Sequence, residues 1–157
     1  MRKYLVFFSL ASALAGPLTA ATLLKAGDAL PALSLTDQHD KPVQIEGAVR
    51  RVYFAADNSG GQLATAFIDR RGAAWLKESG SVYLADIHRM PRLIASMFAL
   101  PQLREKPYPI ALGRDEADLA MFPRRKDCVT VIAVRQGVLS EPLFACSDDE
   151  LEKGNGP

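Results

Sequence analysis

An α/β domain with a central mixed sheet flanked by helices is predicted by three stretches of this chain. Val52–Ala56 and Ser81–Ile87 are compact apolar runs of strand length, and the segment between them repeats its apolar residues at helical spacing. Strand, helix, strand is a βαβ unit, which sets the two strands parallel and joins them by a right-handed crossover. Further on, Val129–Val134 and Val138–Phe144 flank Arg135, Gln136 and Gly137, a tight turn that closes a C-terminal antiparallel hairpin.

The ends set the compartment and the domain count. Arg2 and Lys3 make a cationic start, Tyr4–Ala15 is almost unbroken apolar sequence, and Gly16-Pro17 breaks it before Thr19, Ala20 and Ala21. This is the plan of a secretory signal peptide over residues 1–20, its apolar run being too short to span a bilayer. Cleavage is expected after Ala20 or Ala21, leaving a periplasmic or secreted protein. The remainder suffices for one domain with its own core, read as residues 21–153 with a frayed tail at 154–157. Once Arg2 and Lys3 are gone, the 19 basic and 18 acidic residues of the full chain come close to balance. That balance gives no reason to expect nucleic acid or an anionic membrane as partner. No further long apolar stretch follows, so membrane insertion is not expected after cleavage. The two cysteines, Cys128 and Cys146, are headed for an oxidising space, where a disulfide is the default.

Taken in order, Leu33–Thr36 and Pro42–Ile45 form a small hairpin around the turn-rich Asp37-Gln38-His39-Asp40, with His39 a solvated turn residue. Val52–Ala56 lacks polar alternation and suits a central strand covered on both faces. After Asn58-Ser59-Gly60-Gly61 the period changes: Leu63, Phe67, Ile68, Ala74, Trp75 and Leu76 fall on one side of a helix whose other side carries Asp69, Arg70, Lys77 and Glu78. Gly72 weakens that helix and can bend it. Ser81–Ile87 is rich in residues that suit a pleated surface. Pro91 opens a second helix with Leu93, Ile94, Met97 and Phe98 on its apolar face and Pro101 stopping it. Tyr108–Leu112 is a short strand or an extended connection, and Asp115–Phe122 a short helix ended by Pro123. Ser147 caps a final helix that carries Asp148, Asp149 and Glu150 in its first turn, where the helix dipole favours acids. There is no internal repeat and no low-complexity segment.

The string Gly27, Asp28, Ala29, Leu30, Pro31, followed by Leu33, Leu35, Asp37 and Lys41-Pro42-Val43, resembles the lead-in of redoxins. Phe54-Ala55-Ala56 then stand where that thioredoxin-like family ends its apolar strand, just before Trp-Cys-x-x-Cys. In this register Asn58 takes the place of the tryptophan, Ser59 that of the first cysteine and Gln62 that of the second. The resemblance covers nearly all of the chain after the leader and implies a thioredoxin-like fold. A second departure concerns the proline, usually cis, that the family sets opposite its CxxC. Counting back from Gly137, Cys128 occupies that position, in Asp127-Cys128-Val129-Thr130, and Pro123 lies five residues early.

Thiol–disulfide exchange needs a thiolate stabilised by a helix N-terminus and a neighbouring thiol. A serine hydroxyl and a glutamine amide cannot perform it, so the chain reads as a redox-inactive binding or accessory module. Its candidate face consists of Asp57, Asn58, Ser59, Gly60, Gly61 and Gln62, joined by Asp86 and His88 at the carboxyl end of the next strand and by Asp127. The resemblance implies a face suited to extended polypeptide, so the expected partner is such a segment or another envelope protein. The alternative is a thiol–disulfide oxidoreductase or peroxidase-like protein using Cys128 and Cys146. These two sit at the open ends of the hairpin with the turn glycine at their midpoint, which favours a structural bridge. Ser59 with Asp57, Asp86 and His88 supplies the residue types of a hydrolase triad or a small metal site, but there is no GxSxG elbow and no HxxxH or HExxH spacing. The Asn58–Gly61 loop is no GxGxxG and lacks the P-loop lysine; a Ser-Gly-Gly turn capping the helix accounts for it. No cofactor and no metal site is expected. Arg50-Arg51, Arg70-Arg71 and Arg124-Arg125-Lys126 read as solvated basic clusters balanced by nearby acids.

Overall fold

A computed structural model describes residues 21–156 of the chain, so the leader expected over residues 1–20 lies outside the described residues. Strands β1 (Leu33–Thr36) and β2 (Pro42–Ile45) form the expected hairpin, with Leu33 opposite Ile45 and Thr36 opposite Pro42. The turn between them is held by Asp37, whose Oδ1 accepts from the backbone N–H groups of His39 at 2.8 Å and Lys41 at 2.9 Å. Buried Gln38 fastens this hairpin to the sheet: its amide donates to the carbonyl of Tyr108 at 2.8 Å and accepts from the N–H of Ile110 at 2.9 Å.

Strands β3 (Arg51–Ala55) and β4 (Ser81–Asp86) pair in parallel, Tyr53 opposite Tyr83 and Phe54 opposite Leu84. The third parallel strand, β5 (Ala111–Gly113), lies on the far side of β4, and β6 (Val129–Arg135) runs antiparallel to β3 on its other edge. Past the turn, β7 (Val138–Leu139) and β8 (Leu143–Ala145) both return along β6. The sheet order is β2-β1-β5-β4-β3-β6-β7, with β8 also on β6. Gln136 and Gly137 both adopt positive φ, the pairing a two-residue hairpin turn requires.

Alternate residues of β3 point to opposite faces, and both faces are covered. Tyr53 and Ala55 pack with Phe67, Ile68, Leu76, Tyr83 and Leu151 on one side, while Val52 and Phe54 pack with Leu84, Leu119, Phe122 and Ile132 on the other. A central strand without polar alternation is the consequence of that double coverage.

The helices depart from expectation in three places. The crossover is two pieces, α1 (Asn58–Asp69) and α2 (Trp75–Glu78), and the break falls where Gly72 takes φ +91°. Burial of Phe67, Ile68 and Leu76 is nonetheless preserved. The second helix does not stop at Pro101. It runs as α3 (Arg92–Ile94), a π-helical turn over Ala95–Ala99, and α4 (Leu100–Arg104). The π turn carries the N–H of Leu100 to the carbonyl of Ala95, so the register shifts just before the residue that has no N–H to give. Residues 115–122, expected as a short helix, form a chain of turns instead. Their backbone bonds are i→i+3, Asp118 N–H to the Asp115 carbonyl at 3.1 Å and Phe122 N–H to the Leu119 carbonyl at 3.2 Å, and these turns place Leu119 and Phe122 in the core.

The final helix α5 (Asp148–Gly154) begins as expected, with Ser147 as N-cap accepting from the N–H of Glu150. The tail after it makes contacts with β3 as far as Gly156. Arg51 Nη1 donates to the carbonyl and the side-chain oxygen of Asn155 at 3.0 and 2.6 Å, Nη2 donates to the carbonyl of Gly156 at 2.8 Å, and the hydroxyl of Tyr53 donates to Asn155 at 2.9 Å. These bonds come from the partly buried Arg51 and tie residues 155 and 156 to the edge of β3.

Candidate functional site at the start of helix α1

The loop from β3 to α1 lies at the carboxyl end of the parallel strands, where open α/β sheets place their sites. Asp57 takes extended backbone and caps α1: its Oδ1 accepts from the N–H of Gly60 at 2.8 Å. The cap is therefore Asp57, not the Ser-Gly-Gly turn, and Ser59 sits inside the first helical turn. The second carboxylate oxygen of Asp57 accepts from the N–H of Asp127 at 2.8 Å, bolting the helix start to the loop ahead of β6. That loop is tightly turned, with Asp127 at φ +60°.

Gly60 is buried against the loop. A Cβ at this position would stand 2.5 Å from the carbonyl oxygen of Cys128, closer than any real Cβ contact. Cys128 thus faces the first turn of α1, the place the resemblance gives to the facing proline, and no cis peptide occurs among the described residues. Asn58, Ser59 and Gln62 are exposed around it, and Gly61 is open except for the Tyr83 hydroxyl. Cys128 and Cys146 are joined in a disulfide with their Cα atoms 4.1 Å apart, one position beyond the Val129–Ala145 pair. Cys128 is buried and Cys146 exposed. The chain has no other cysteine, so none lies at the helix start.

Asp86 and His88 are close together but not poised for chemistry. Buried Asp86 accepts from Arg124 Nη1 at 2.9 Å through Oδ2, while its Oδ1 lies 2.5 Å from His88 Nδ1 and accepts from the His88 N–H at 3.2 Å. Arg124 in turn donates to the carbonyl of Leu119 and lies over the ring of Phe54. This is a compensated buried charge, each of whose oxygens already has a partner. None of these bonds, nor those of Asp57, reaches Ser59, so the triad residue types do not assemble. Among the described residues no group of three His, Cys, Asp or Glu side chains is placed to hold a metal.

Two clefts flank the Asp57–Asp86 ridge. One, of about 650 Å³, separates α1 from the α3–α4 segment and is lined by Asn58, Gln62, Thr65, Tyr83, Met90 and Leu103. The other, of about 510 Å³, is lined by Ala56, Arg89, Met90, Arg124, Arg125 and Lys126. The buried Tyr83 hydroxyl donates to the carbonyl of Gly61 at 3.3 Å, and burial pushes its pKa up to about 12. Burial also raises Tyr108, reinforced by its 2.7 Å bond to Asp69. On Asp69 itself burial works upward, but bonds from Lys106 and Tyr108 outweigh it and hold the carboxyl below its ordinary value. At neutral pH both phenols are therefore protonated and the Asp69 carboxyl ionised, so Tyr108 donates to a carboxylate.

The sequence singled out the ridge but not its surroundings. Arg124 appears there as one of a solvated cluster, whereas it is the counter-charge of Asp86. Arg89, Met90 and Tyr83 carry no local signal that they line a cleft; only the crossing of distant segments brings them to it.

No protein-family model matches the chain, and no curated protein matches it. Solved structures do. A protein assigned as thiol:disulfide interchange protein DsbE from Chlorobium tepidum shares 20% identity, over 85% of this chain and 96% of that one, with a TM-score of 0.58. Peroxidoxin BcpB from Mycobacterium tuberculosis shares 15% over 84% and 94%, TM-score 0.56. A protein assigned as a protein disulfide isomerase from Bacteroides thetaiotaomicron shares 14% over 88% and 90%, TM-score 0.59. At such identities the likeness is one of architecture, and it agrees with the sheet order, the parallel crossover and the terminal hairpin: the chain has a thioredoxin-like α/β fold.

Proposed function

We propose that this protein is a periplasmic or secreted thioredoxin-like module that has given up thiol chemistry and binds another polypeptide through the face at the start of α1. The observation that carries the reading is the packing of Gly60 on Cys128, which sets the helix start against its facing loop, with Ser59 and Gln62 at the positions the resemblance gives to the thiols. A surface of exposed Asn58, Ser59 and Gln62 between two clefts suits contact with an extended chain. The leader read from residues 1–20 supports the location, and among the described residues no helix is long and apolar enough to cross a membrane.

One observation favours a second reading, a thiol–disulfide oxidoreductase or peroxidase-like protein working through Cys128 and Cys146. The bridge adjoins the same face, and Cys146 is exposed. Against it, Glu150 accepts from the Cys146 N–H at 2.6 Å and Asp148 and Asp149 follow, so a thiolate there would form beside carboxylates. Insulin reduction with a measured potential separates the two. No turnover and a potential below about −300 mV, typical of structural bridges, is the expected result; turnover with a readily reduced bridge overturns the binding reading.

A further inference from the structure

The helical segment after β4 turns its most apolar face outward. Leu93 is 66% exposed, Met97 59%, Phe98 57% and Ile94 46%, four of the seven large apolar side chains exposed among the described residues. Residues 93 and 97, and 94 and 98, lie about one helical turn apart, so the four share one side of the segment. Together they offer on the order of 400 Å² of apolar surface, a size at which a patch on a monomer is often functional.

The approach to this patch is cationic. Arg89 and Arg92 are exposed at its start, and Arg89 lines the 510 Å³ cleft together with Arg124, Arg125 and Lys126. The acids in that cleft are already engaged: Asp86 by Arg124 and His88, Asp57 by the N–H groups of Gly60 and Asp127. Arg89, Arg92 and Arg125 form no ion pair among the described residues, and Lys126 reaches only Asp127, at 4.0 Å. Uncompensated positive charge therefore adjoins exposed apolar surface along one edge of the α1 face.

We propose that this edge docks an acidic, amphipathic polypeptide segment, whose apolar residues cover Leu93, Ile94, Met97 and Phe98 and whose carboxylates enter the cleft at Arg89, Arg125 and Lys126. The proposal rests on the binding role assigned above to this face and names the class of partner. A lipid surface matches the apolar and basic composition, but a planar bilayer cannot fill a concave cleft, whereas side chains of a peptide can.

The test uses the purified protein and a fluorescent peptide of about a dozen residues alternating Asp or Glu with Leu or Phe, with a control in which every acid is Lys; a salt-sensitive affinity is expected for the first only. Met97→Ser with Phe98→Ser, and Arg125→Glu with Lys126→Glu, alter exposed side chains and are expected to shift the urea midpoint little, the second pair giving up only the stacking of Arg125 over Phe144. Each pair is expected to weaken acidic-peptide binding at least about tenfold. Binding indifferent to both pairs, or no acidic-peptide binding, overturns the proposal. So does binding to phosphatidylglycerol vesicles without peptide binding, or a dimer in sedimentation that Phe98→Ser dissolves. If only the basic control binds, and Gly61→Trp abolishes it, the acidic partner is refuted while the binding role of the face stands.

Discussion

Two adjacent glycines in the first turn of α1 are expected to respond to alanine with opposite signs. At Gly61 the nearest atom to a new Cβ is the Tyr83 hydroxyl at 3.8 Å, an ordinary contact. The helical preference of alanine over glycine then acts alone and stabilises by about 0.5–1 kcal/mol. At Gly60 the Cβ would lie 2.5 Å from the Cys128 carbonyl oxygen and 3.2 Å from its carbon. That carbonyl cannot easily recede, because Val129 is paired with both Ala55 and Ala145 and Cys128 is bridged to Cys146. The helix start must move instead, and overpacking of this kind costs about 1–3 kcal/mol. The movement also strains the two bonds of Asp57, a cap worth about 1 kcal/mol. Gly60→Ala should therefore destabilise by about 1–3 kcal/mol net of the helical gain. Urea unfolding followed by helical circular dichroism and by the fluorescence of the single tryptophan, Trp75, measures both variants. A Gly60→Ala protein as stable as its parent, or two variants shifted in the same direction, would refute the close approach of α1 to the Cys128 loop.

Reducing the Cys128–Cys146 bridge, or replacing both cysteines with serine, releases a link of sequence separation 18 and should cost about 3 kcal/mol in the chain-entropy account while leaving the circular dichroism native-like; an unchanged urea midpoint in reductant would contradict it. Arg124→Ala leaves the Asp86 carboxylate buried with only His88 beside it, so a loss of about 3 kcal/mol is expected, well beyond that of the exposed Arg125→Ala; equal effects would show that Asp86 does not need its counter-charge. Burial raises the pKa values of Tyr53, Tyr83 and Tyr108 above the ordinary 10.0, Tyr83 to about 12. The unfolded chain gives up these protons first, so their contribution is complete below pH 10 and declines as the pH climbs through the folded values. Unfolding midpoints and tyrosinate absorbance followed from pH 8 to about 12 check this; a flat midpoint, or tyrosinate in the folded protein at pH 10, would count against it.

How far the chain can be read without its structure depends on where each element finds its partners. Val52–Ala56, Ser81–Ile87 and Val129–Val134 declare themselves because residues covered on both faces must be apolar throughout, and the hairpin does so because Gln136-Gly137 meets a local backbone demand. Helix ends are less legible, since the groups that satisfy them come from elsewhere. Asp57 lies two positions before the Ser-Gly-Gly turn that looked like the cap, and its second oxygen is claimed by Asp127, 70 positions away. Residues 115–122 close as separate i→i+3 turns that deliver Leu119 and Phe122 to the core beside β3, a demand made by the sheet and not by local sequence. The segment 92–104 fails most instructively. Its apolar periodicity is real, but periodicity says only that one side of a helix is apolar, not that the rest of the fold covers it. Here Ala95 is buried and Leu100 and Leu103 pack against the core, while Leu93, Ile94, Met97 and Phe98 remain outside. An amphipathic pattern that the domain itself does not consume is thus the feature of the candidate face that sequence alone assigns to the core, and it leaves Leu93, Ile94, Met97 and Phe98 uncovered at this edge.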